Sequence, residues 1–251
     1  MQISIITVTY NSAHTLASTI NSIKEQTALK NIEYIVVDGN STDETVELIK
    51  NNTDTISHWI SEPDNGIYDA MNKGLKLANG DWVGFLHADD ALASNSIVEE
   101  MLEVIATNNT INALYGNLNY VQENNINKTV RHWKSQPFKT KLLKNGWMPP
   151  HPTLYLKRDL FLKLNGFDTR YKIAADYDFI LRLFSNSETQ SYFLNKLIVN
   201  MRMGGASNQS LSNIIQKSKE DYLALKRNNI GGFSSLLIKN FSKLSQFFKH
   251  K

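Results

Sequence analysis

The segment Ile3-Ser4-Ile5-Ile6-Thr7-Val8-Thr9-Tyr10-Asn11 decides the fold. Its first seven residues are mostly β-branched and predict a buried strand, which ends in a polar turn. A helical pattern follows from about residue 15 to 26, with Leu16, Ile20 and Ile23 on one face. A buried strand followed by an amphipathic helix is the first half of a β-α-β unit, so the sequence predicts a parallel α/β sheet.

The same alternation continues through the first 110 residues. Strand patterns cover residues 33–37, 56–60 and 82–86, and helical patterns cover residues 41–49, 67–78 and 94–106. Polar clusters follow three of the strands: Thr9-Tyr10-Asn11, Asp38-Gly39-Asn40 and His87-Ala88-Asp89-Asp90. Because ligands bind beyond the carboxyl ends of the strands in such sheets, we expect these clusters to lie together.

The second half of the chain is less regular. Strands are predicted at residues 113–121, 129–133, 153–156 and 197–203, with a hairpin turn across 123–128. Helices are predicted at residues 158–164, 176–184, 210–226 and from 233 to 248.

The composition is that of a soluble globular protein, with 41% hydrophobic and 20% charged residues among 251. Cysteine is absent, which excludes disulfides and a thiolate nucleophile. The amino terminus has no basic n-region, and no run of about 20 apolar residues occurs, so we predict a cytoplasmic protein. From Ile215 onward the sequence has eight Lys and Arg and two Asp and Glu, which gives a net charge of +6. The remainder of the chain therefore has a net charge of −3. This distribution does not fit a nucleic-acid binder, whose basic stripe lies on the folded body.

The strand ends are acidic or neutral. The sequence has no G-x-G-x-x-G after the first strand, no Walker motif and no G-x-S-x-G elbow. Asp89 and Asp90 would repel a phosphorylated ligand unless a cation lay between them. Adjacent carboxylates and diphosphate oxygens make a hard, all-oxygen site that suits Mg²⁺ or Mn²⁺. We therefore predict a metal site here, to which the neutral imidazole of His87 can contribute.

Six segments together resemble the motifs of family 2 glycosyltransferases of the kind that builds bacterial cell-surface polysaccharides. They are Ile5–Asn11, Val36–Asp43, Asp64–Gly74, Gly80–Asp90, Gly166-Phe167-Asp168 and Ala175-Asp176-Tyr177-Asp178. The resemblance implies the GT-A fold, with a mostly parallel, Rossmann-like central sheet flanked by helices. We accordingly predict a catalytic domain over residues 1–210, with a nucleotide-binding half (1–110) and an acceptor-binding half (111–210). A helical tail over residues 211–251 completes the chain.

The resemblance also implies a role for each matching position. The enzyme would invert the anomeric configuration while moving a sugar from a nucleoside-diphosphate sugar to a hydroxyl of a glycan or lipid-linked glycan. Asp176 would be the general base that deprotonates this hydroxyl. Mn²⁺ or Mg²⁺ would bind Asp89, with Asp90 and His87 beside it. The nucleotide-sugar site would comprise Thr9, Tyr10, Asn11, Asp38, Asp64, Asn72, Lys73 and Asp89.

Several of these positions have a structural alternative. Family members commonly have Asp where this chain has His87, and Glu before the base where it has Ala175. Asp38 could be only a turn residue. Asp90 could instead favour the dipole of the next helix, and Asp176 could cap the helix that it begins.

Two residues in a Pro-rich loop are candidates for the acceptor site. His151 can face the acceptor or serve as a structural loop residue, and Trp147 can stack on a sugar or simply pack. Asp178 ranks behind Asp176 as the base because it faces elsewhere on the predicted helix.

The tail has the pattern of a basic amphipathic helix. Its apolar stripe is Leu236, Leu237, Phe241, Leu244, Phe247 and Phe248, interleaved with Lys239, Lys243, Lys249 and Lys251. This pattern indicates peripheral binding to an anionic membrane surface on its inner face, where a lipid-linked acceptor would lie. The alternative is a helix packed on the protein's own body or on the other subunit of a homodimer.

Two other functions remain open. A sugar nucleotidyltransferase would need a Gly-rich loop with Arg or Lys after the first strand, and Thr9-Tyr10-Asn11 lacks one. The second is a non-catalytic relative that binds a nucleotide or a partner, an idea that His87 in place of Asp favours.

Overall fold

The computed structural model describes residues 1–204 and 211–244 of the chain. Its strands, β1 to β9, are Ile3–Thr9, Ile32–Asp38, His58–Ser61, Trp82–Phe85, Ala91–Leu92, Ala113–Gln122, Asn125–Trp133, Tyr155–Lys157 and Ser191–Arg202. Its helices, α1 to α9, are Ala13–Lys24, Thr45–Lys50, Ile67–Leu77, Ile97–Thr107, Lys141–Lys144, Arg158–Lys163, Ala175–Ser185, Leu211–Arg227 and Phe233–Leu244. Single 3₁₀ turns lie at Leu29–Asn31 and His151–Thr153.

The first four strands form the parallel part of the sheet. β1 pairs in parallel with β2 and β4, and β2 pairs in parallel with β3, which gives the order β3-β2-β1-β4. Every residue of β1 and β2 is buried, because helices cover both faces. The carboxyl ends of β1, β2 and β4 therefore open at one edge, as the alternation of strands and helices predicts.

The second half of the sheet is mixed. β8 pairs antiparallel with β4 and β6, β9 runs parallel to β6, and β5 pairs antiparallel with β9. β7 forms a hairpin with the outer half of β6. The α/β class with a central sheet flanked by helices is confirmed, whereas the predominance of parallel pairs is confined to the N-terminal half.

Helix α3 packs directly on the sheet that it covers. A Cβ atom at Gly74 would overlap Ile6 Cγ2 and lie 3.3 Å from Val37 Cγ2. The absence of a side chain at this position lets the helix approach β1 and β2 closely. This close approach sets the distance between the sheet and the polar residues that α3 carries at its edge.

Three strands of the second half begin at other residues than the sequence predicts. β7 begins at Asn125 because the hairpin turn is tighter than residues 123–128. β9 begins at Ser191, earlier than the predicted start at residue 197. Register shifts along its pairing with β6 break the apolar alternation that marks a strand, and the sequence pattern therefore missed its first part. β8 begins only at Tyr155, because residues 151–153 form a 3₁₀ turn and Pro152 cannot donate a ladder hydrogen bond.

The two C-terminal helices pack onto α7. Ala224 and Leu225 of α8 and Leu236 of α9 are buried in the same apolar cluster as Tyr177 of α7. In the described residues, these helices therefore share the core of the preceding chain. The domain boundary at residue 210 stays a prediction.

The basic amphipathic pattern of the tail predicts that Lys239 of α9 lies on a solvated face, and for this residue the prediction is wrong. The residue is 2% exposed, and its Nζ lies 2.7 Å from Oδ1 of Asp221 on α8. The side chains of Phe241, Lys243 and Leu244, and the residues Phe247, Phe248, Lys249 and Lys251, lie outside the described part of the chain. Within residues 1–204 and 211–244, no helix has both the length and the apolar character needed to cross a membrane.

Candidate active site

The loops after β1 and β2 form one hydrogen-bonded unit. Asn11 has a φ of +47°, and its Oδ1 accepts a hydrogen bond from the Thr42 N–H at 2.9 Å. Its own N–H donates to Ser41 Oγ at 2.8 Å. Thr9 is buried, whereas Tyr10 is 61% exposed. The structure thus joins the first two polar clusters, and the Tyr10 ring is exposed where a ligand can reach it.

Asp38 holds the second of these loops. Its Oδ1 accepts from the Ser41 hydroxyl at 2.5 Å, and its Oδ2 accepts from the Ser41 N–H at 3.0 Å and the Ser61 hydroxyl at 2.6 Å. The residue has no exposed surface. In this conformation the carboxylate orders the turn, and the contact with a nucleoside predicted for Asp38 stays a prediction.

Asp64 reaches the same edge from the loop before α3. A Cβ atom at Gly39 would lie 2.6 Å from Asp64 Oδ2 and 3.5 Å from Tyr10 Cδ2, so a larger residue would displace the Asp64 carboxylate and touch the Tyr10 ring. Asp64 Oδ1 accepts from the N–H of Gly66, whose φ of +108° favours glycine. Tyr10, Gly39 and Asp64 therefore form a compact corner at the ends of β1 and β2, which we call the donor corner.

Lys73 of α3 supports the loop that carries Asp64. Its Nζ lies 2.8 Å from Glu62 Oε1 and donates to the carbonyl oxygen of Pro63 at 2.8 Å. The hydrogen bond with Glu62 raises the pKa of Lys73, so the ammonium group stays charged. A held cation at this place fits the predicted attraction of a diphosphate, but the contact itself stays a prediction.

Asn72 of α3 joins the two halves of the protein. Its amide nitrogen donates to the Phe167 carbonyl at 2.8 Å, and its amide oxygen accepts from the Phe167 N–H at 2.9 Å. The structure thus commits both ends of the amide to the motif at residues 166–168. The nucleotide contact predicted for Asn72 stays a prediction.

The two carboxylates after β4 lie in different settings. Asp90 is 1% exposed, and its Oδ1 accepts from the Arg202 N–H at 3.1 Å. Its Oδ2 is buried and has no hydrogen-bond partner among the described residues. Burial, and after it the charge of Asp89, raises the pKa of Asp90 well above its usual range. Asp89 is only partly buried and is the carboxylate of the pair that a ligand can reach.

These carboxylates fit a hard divalent cation. A cation beside Asp89 would compensate the repulsion between the two carboxylates. Within the described ranges, no group of three or more His, Asp or Glu side chains is arranged to hold a metal ion. Mg²⁺ is commonly held by one or two carboxylates together with substrate phosphates and water. Asp89, backed by Asp90, would be the protein's contribution to such a site.

His87 turns its imidazole toward His151. Their Nε2 atoms lie 3.2 Å apart, and the ring planes are inclined by 62°. Burial, opposed by the charges of Asp89 and Asp176, lowers the pKa of His87 and favours the neutral ring. Because Nε2 is engaged with His151, Nδ1 is the nitrogen left for a metal. The ligand role of His87 stays a prediction.

Asp176 has a neighbour at each carboxylate oxygen. His151 Nδ1 lies 3.4 Å from Oδ2, and the Tyr68 hydroxyl lies 3.2 Å from Oδ1. That hydroxyl also lies 2.8 Å from the Ile173 carbonyl oxygen, and because a phenol has one proton, donation to the carbonyl leaves Oδ1 open to another donor. Burial disfavours the charge, but His151 and then Lys239 outweigh it and lower the pKa of Asp176. With 20% of its side chain exposed, Asp176 is an ionised, accessible carboxylate at neutral pH.

The residues His87-Ala88-Asp89-Asp90 after β4 form an acidic cluster, and a chain of contacts runs from this acidic cluster to Asp176 through two imidazoles. With His151 Nδ1–H directed at Asp176, its Nε2 accepts from Nε2–H of His87, an assignment that follows from the hydrogen-bond partners. The three residues come from the end of β4, the 3₁₀ turn and the first turn of α7. We call them the His–His–Asp chain.

Trp147 is packed in the protein on one side and exposed on the other. Trp147 packs in a cluster of aromatic rings, with centroid distances of 5.4 Å to Phe184, 5.7 Å to Phe138 and 5.8 Å to Tyr115. It remains partly exposed, so its contact with an acceptor stays a prediction.

Asp178 is 4% exposed and fully engaged. Its Oδ2 lies 2.8 Å from Arg182 Nε, and its Oδ1 accepts from Asn228 Nδ2 at 3.0 Å. Asp176 is therefore the open carboxylate of the two. Tyr68 is a site residue that the sequence pattern did not reveal: it lies within a quoted motif, but nothing local shows that it meets a residue 108 positions later.

Comparison with known proteins shows the family of the chain. The family model described as "Glycosyl transferase family 2" matches residues 4–163. An uncharacterized glycosyltransferase of Mycobacterium tuberculosis (strain CDC 1551 / Oshkosh) is 33% identical over 181 residues, which cover 72% of this chain and 68% of that protein.

Two solved structures share the fold. Staphylococcus aureus TarS 1–349 in complex with UDP-GlcNAc has a TM-score of 0.70 at 18% identity, over 91% of this chain and 65% of that one. The mannosyltransferase PcManGT from Pyrobaculum calidifontis, in complex with GDP-Man and Mn²⁺, has a TM-score of 0.66 at 15% identity, over 100% and 76%. The chain therefore spans less than two thirds of that TarS fragment. These likenesses confirm the predicted GT-A type of fold.

Proposed function

The chain belongs to glycosyl transferase family 2, and from this premise we propose that it is an inverting, metal-dependent hexosyltransferase. Its donor is a nucleoside-diphosphate sugar, and its acceptor is a hydroxyl of a glycan or lipid-linked glycan in cell-surface polysaccharide synthesis. The observation that carries the proposal is the His–His–Asp chain, which sets an ionised, accessible carboxylate beside the acidic cluster. A base next to a cation site is what direct displacement of a diphosphate needs.

Asp176 is the base of the proposed reaction. The acceptor oxygen attacks the anomeric carbon from the side opposite the diphosphate and gives its proton to Asp176. The bond from that carbon to the diphosphate oxygen breaks, and its electron pair leaves with the diphosphate, so the configuration inverts. His151 steadies Asp176 through Oδ2, while Oδ1 is open to receive the proton because the Tyr68 proton can bond to Ile173.

The donor corner supports nucleoside binding. The exposed Tyr10 ring offers a face for a base, and Asp64 offers an acceptor for hydroxyl or N–H groups. A divalent cation held by Asp89 would neutralise the diphosphate and make it a better leaving group. UDP-GlcNAc is bound to TarS, and GDP-Man with Mn²⁺ to PcManGT. Both ligands are nucleotide-linked hexoses, which supports the donor class without selecting the base.

The outer face of α9 supports the proposal that the acceptor lies at a membrane. Leu236 and Lys239 face the core, whereas Phe233, Leu237 and Ile238 are 66%, 41% and 45% exposed. Such an apolar face suits peripheral binding to an anionic bilayer. Flotation with phosphatidylglycerol vesicles should recover the wild type and lose the variant Leu237→Ser/Ile238→Ser. Equal recovery would contradict membrane binding, and a halved solution mass of the variant would indicate a homodimer instead.

The main test is release of nucleoside diphosphate from a panel of UDP- and GDP-sugars, with Mn²⁺ and with EDTA. We expect metal-dependent release, abolished in Asp89→Ala and lowered about 10²–10⁴-fold in Asp176→Asn. Glu188→Gln, in an exposed pair with Lys163, is the matched control and should retain activity.

Circular dichroism checks that each variant is folded. Full activity in folded Asp176→Asn would remove this residue from the mechanism. Nucleotide binding without release from any donor would favour the non-catalytic relative.

A further inference from the structure

Glu220 of α8 binds the loop that precedes the proposed base. Its Oε1 accepts from the Lys172 N–H at 3.1 Å, and its Oε2 accepts from the N–H groups of Ile173 and Ala174 at 2.8 and 2.9 Å. The side chain is 8% exposed. Three backbone donors on one buried carboxylate make a set of charge-assisted bonds that fixes the path of the loop.

The carboxylate itself is held in place from within α8. Gln216, one turn earlier, donates its side-chain N–H to Glu220 Oε1 at 3.0 Å. Each oxygen of Glu220 therefore accepts two hydrogen bonds, and their donors lie on both sides of the contact between α8 and the loop. The bonds order a segment 46 to 48 residues earlier in the chain, far outside the range of helical capping.

The loop determines where Asp176 lies. Ala174 precedes α7 directly, and Asp176 is the second residue of that helix. On the other side of the base, Asn228 at the end of α8 donates to Oδ1 of Asp178 at 3.0 Å. Helix α8 thus holds the chain two residues before and two residues after Asp176, while the His–His–Asp chain contacts the carboxylate itself.

We infer that α8 positions the base: Glu220, with Asn228 in a lesser part, sets the place of Asp176 relative to the acceptor hydroxyl. This inference rests on the proposed function of Asp176. Neither residue touches the reacting atoms, so both are positioning residues. The loss of catalysis expected from a displaced group is steep, since a misplacement of about 1 Å can cost 10²-fold in rate. Helix α8 then contributes to catalysis by positioning the base and is not merely an attachment.

A purely structural role makes a different prediction. If Glu220 only stabilised the fold, its loss would lower the folded fraction and leave the turnover number of each folded molecule unchanged. If it positions Asp176, kcat falls while nucleotide affinity stays the same, because Glu220 binds the loop 172–174 before α7, whereas the donor corner lies at the ends of β1 and β2. Its effect must also disappear when Asp176 is already disabled.

The experiment compares Glu220→Gln, Asp176→Asn and the double variant, with Glu188→Gln as control. The Gln variant is isosteric, but its amide N–H₂ faces either the Lys172 N–H or the N–H groups of Ile173 and Ala174. We expect kcat for UDP-GlcNAc or GDP-mannose hydrolysis to fall about 10-fold per folded molecule. Calorimetric affinities for UDP and GDP should be unchanged, and the double variant should be no slower than Asp176→Asn.

The outcomes separate the two proposals. Wild-type kcat in folded Glu220→Gln, or an equal further loss when it is added to Asp176→Asn, overturns the positioning role. Full activity in Asp176→Asn sinks the proposed function itself. If Glu220→Gln does not fold, Asn228→Ala decides: unchanged kcat contradicts the inference, and a lower kcat at unchanged UDP and GDP affinity supports it.

Discussion

The buried ion pair between Lys239 and Asp221 tests how the C-terminal helices are attached. The two side chains are 2% and 4% exposed, and Nζ lies 2.7 Å from Oδ1. The ammonium group also lies 3.1 Å from the centre of the Tyr177 ring, which adds a cation–π attraction. Neither charge reaches water. Replacing Lys239 leaves the carboxylate of Asp221 in the core without its ion-pair partner, which costs about 3–5 kcal/mol.

Lys239→Met is the perturbation, since Met keeps most of the length and removes the charge. In a protein of this size 1 kcal/mol corresponds to about 2–4 °C in Tm, so we expect Tm to fall by roughly 6–20 °C. Asp221→Leu should have a comparable effect. The double variant should recover most of the loss, because replacing a whole buried pair by apolar residues is nearly neutral.

Thermal and urea unfolding of the three variants measures these changes. The control is Lys24→Met, which breaks an exposed pair with Asp54 whose side chains are 48% and 62% exposed. We expect no measurable change in the control. If Lys239→Met is no more destabilising than the control, or if the two single losses simply add in the double variant, the buried pair does not exist in solution.

Two further predictions concern the base and the packing of α3. Because a carboxylate with a lowered pKa is active above that pKa and loses activity as the pH falls through it, wild-type kcat should be lost only at a pH below the usual range of an Asp side chain. His151→Gln removes a group that lowers the pKa of Asp176, so the acid limb of its pH–kcat profile should move to higher pH, and an unmoved limb would refute this coupling. Gly74→Ala places a methyl group against Ile6 and should cost about 1–3 kcal/mol in urea unfolding. Exposed Lys76→Ala on the same helix is the control, and equal stability of the two variants would contradict the close packing of α3.

The first half of the fold could be predicted because its signals are local. β1, β2 and β4 are short, fully buried strands, and most of the first four strands are followed by an amphipathic helix, so parallel order and a shared ligand edge follow from the alternation. The second half depends on pairings between distant segments. β6 pairs with β7, β8 and β9 along different parts of its length, and its pairing with β9 shifts register twice. Such shifts leave no regular period in the sequence.

The site shows the same limit at the level of single residues. Asp89 and Asp90 are neighbours of the same type, and the sequence alone cannot separate their environments. The separation comes from Arg202, 112 positions later, whose N–H meets Asp90 inside the protein. In the same way, the contact between His87 and His151 spans 64 positions and appears only once the 3₁₀ turn is placed beside the end of β4.

Helix α9 shows why the polarity of its residues does not by itself predict which face of a helix is exposed to solvent. Lysine is almost never fully buried unless it is paired, so a periodic Lys in an amphipathic pattern indicates solvent. For Lys239 the partner is Asp221, which lies on the preceding helix, beyond the spacings that a single-helix pattern can test. The apolar stripe is consequently split: Leu236 faces the core with Lys239, while Leu237 and Ile238 stay exposed. Docking on α7 and the proposed binding to a membrane would therefore use opposite faces of α9.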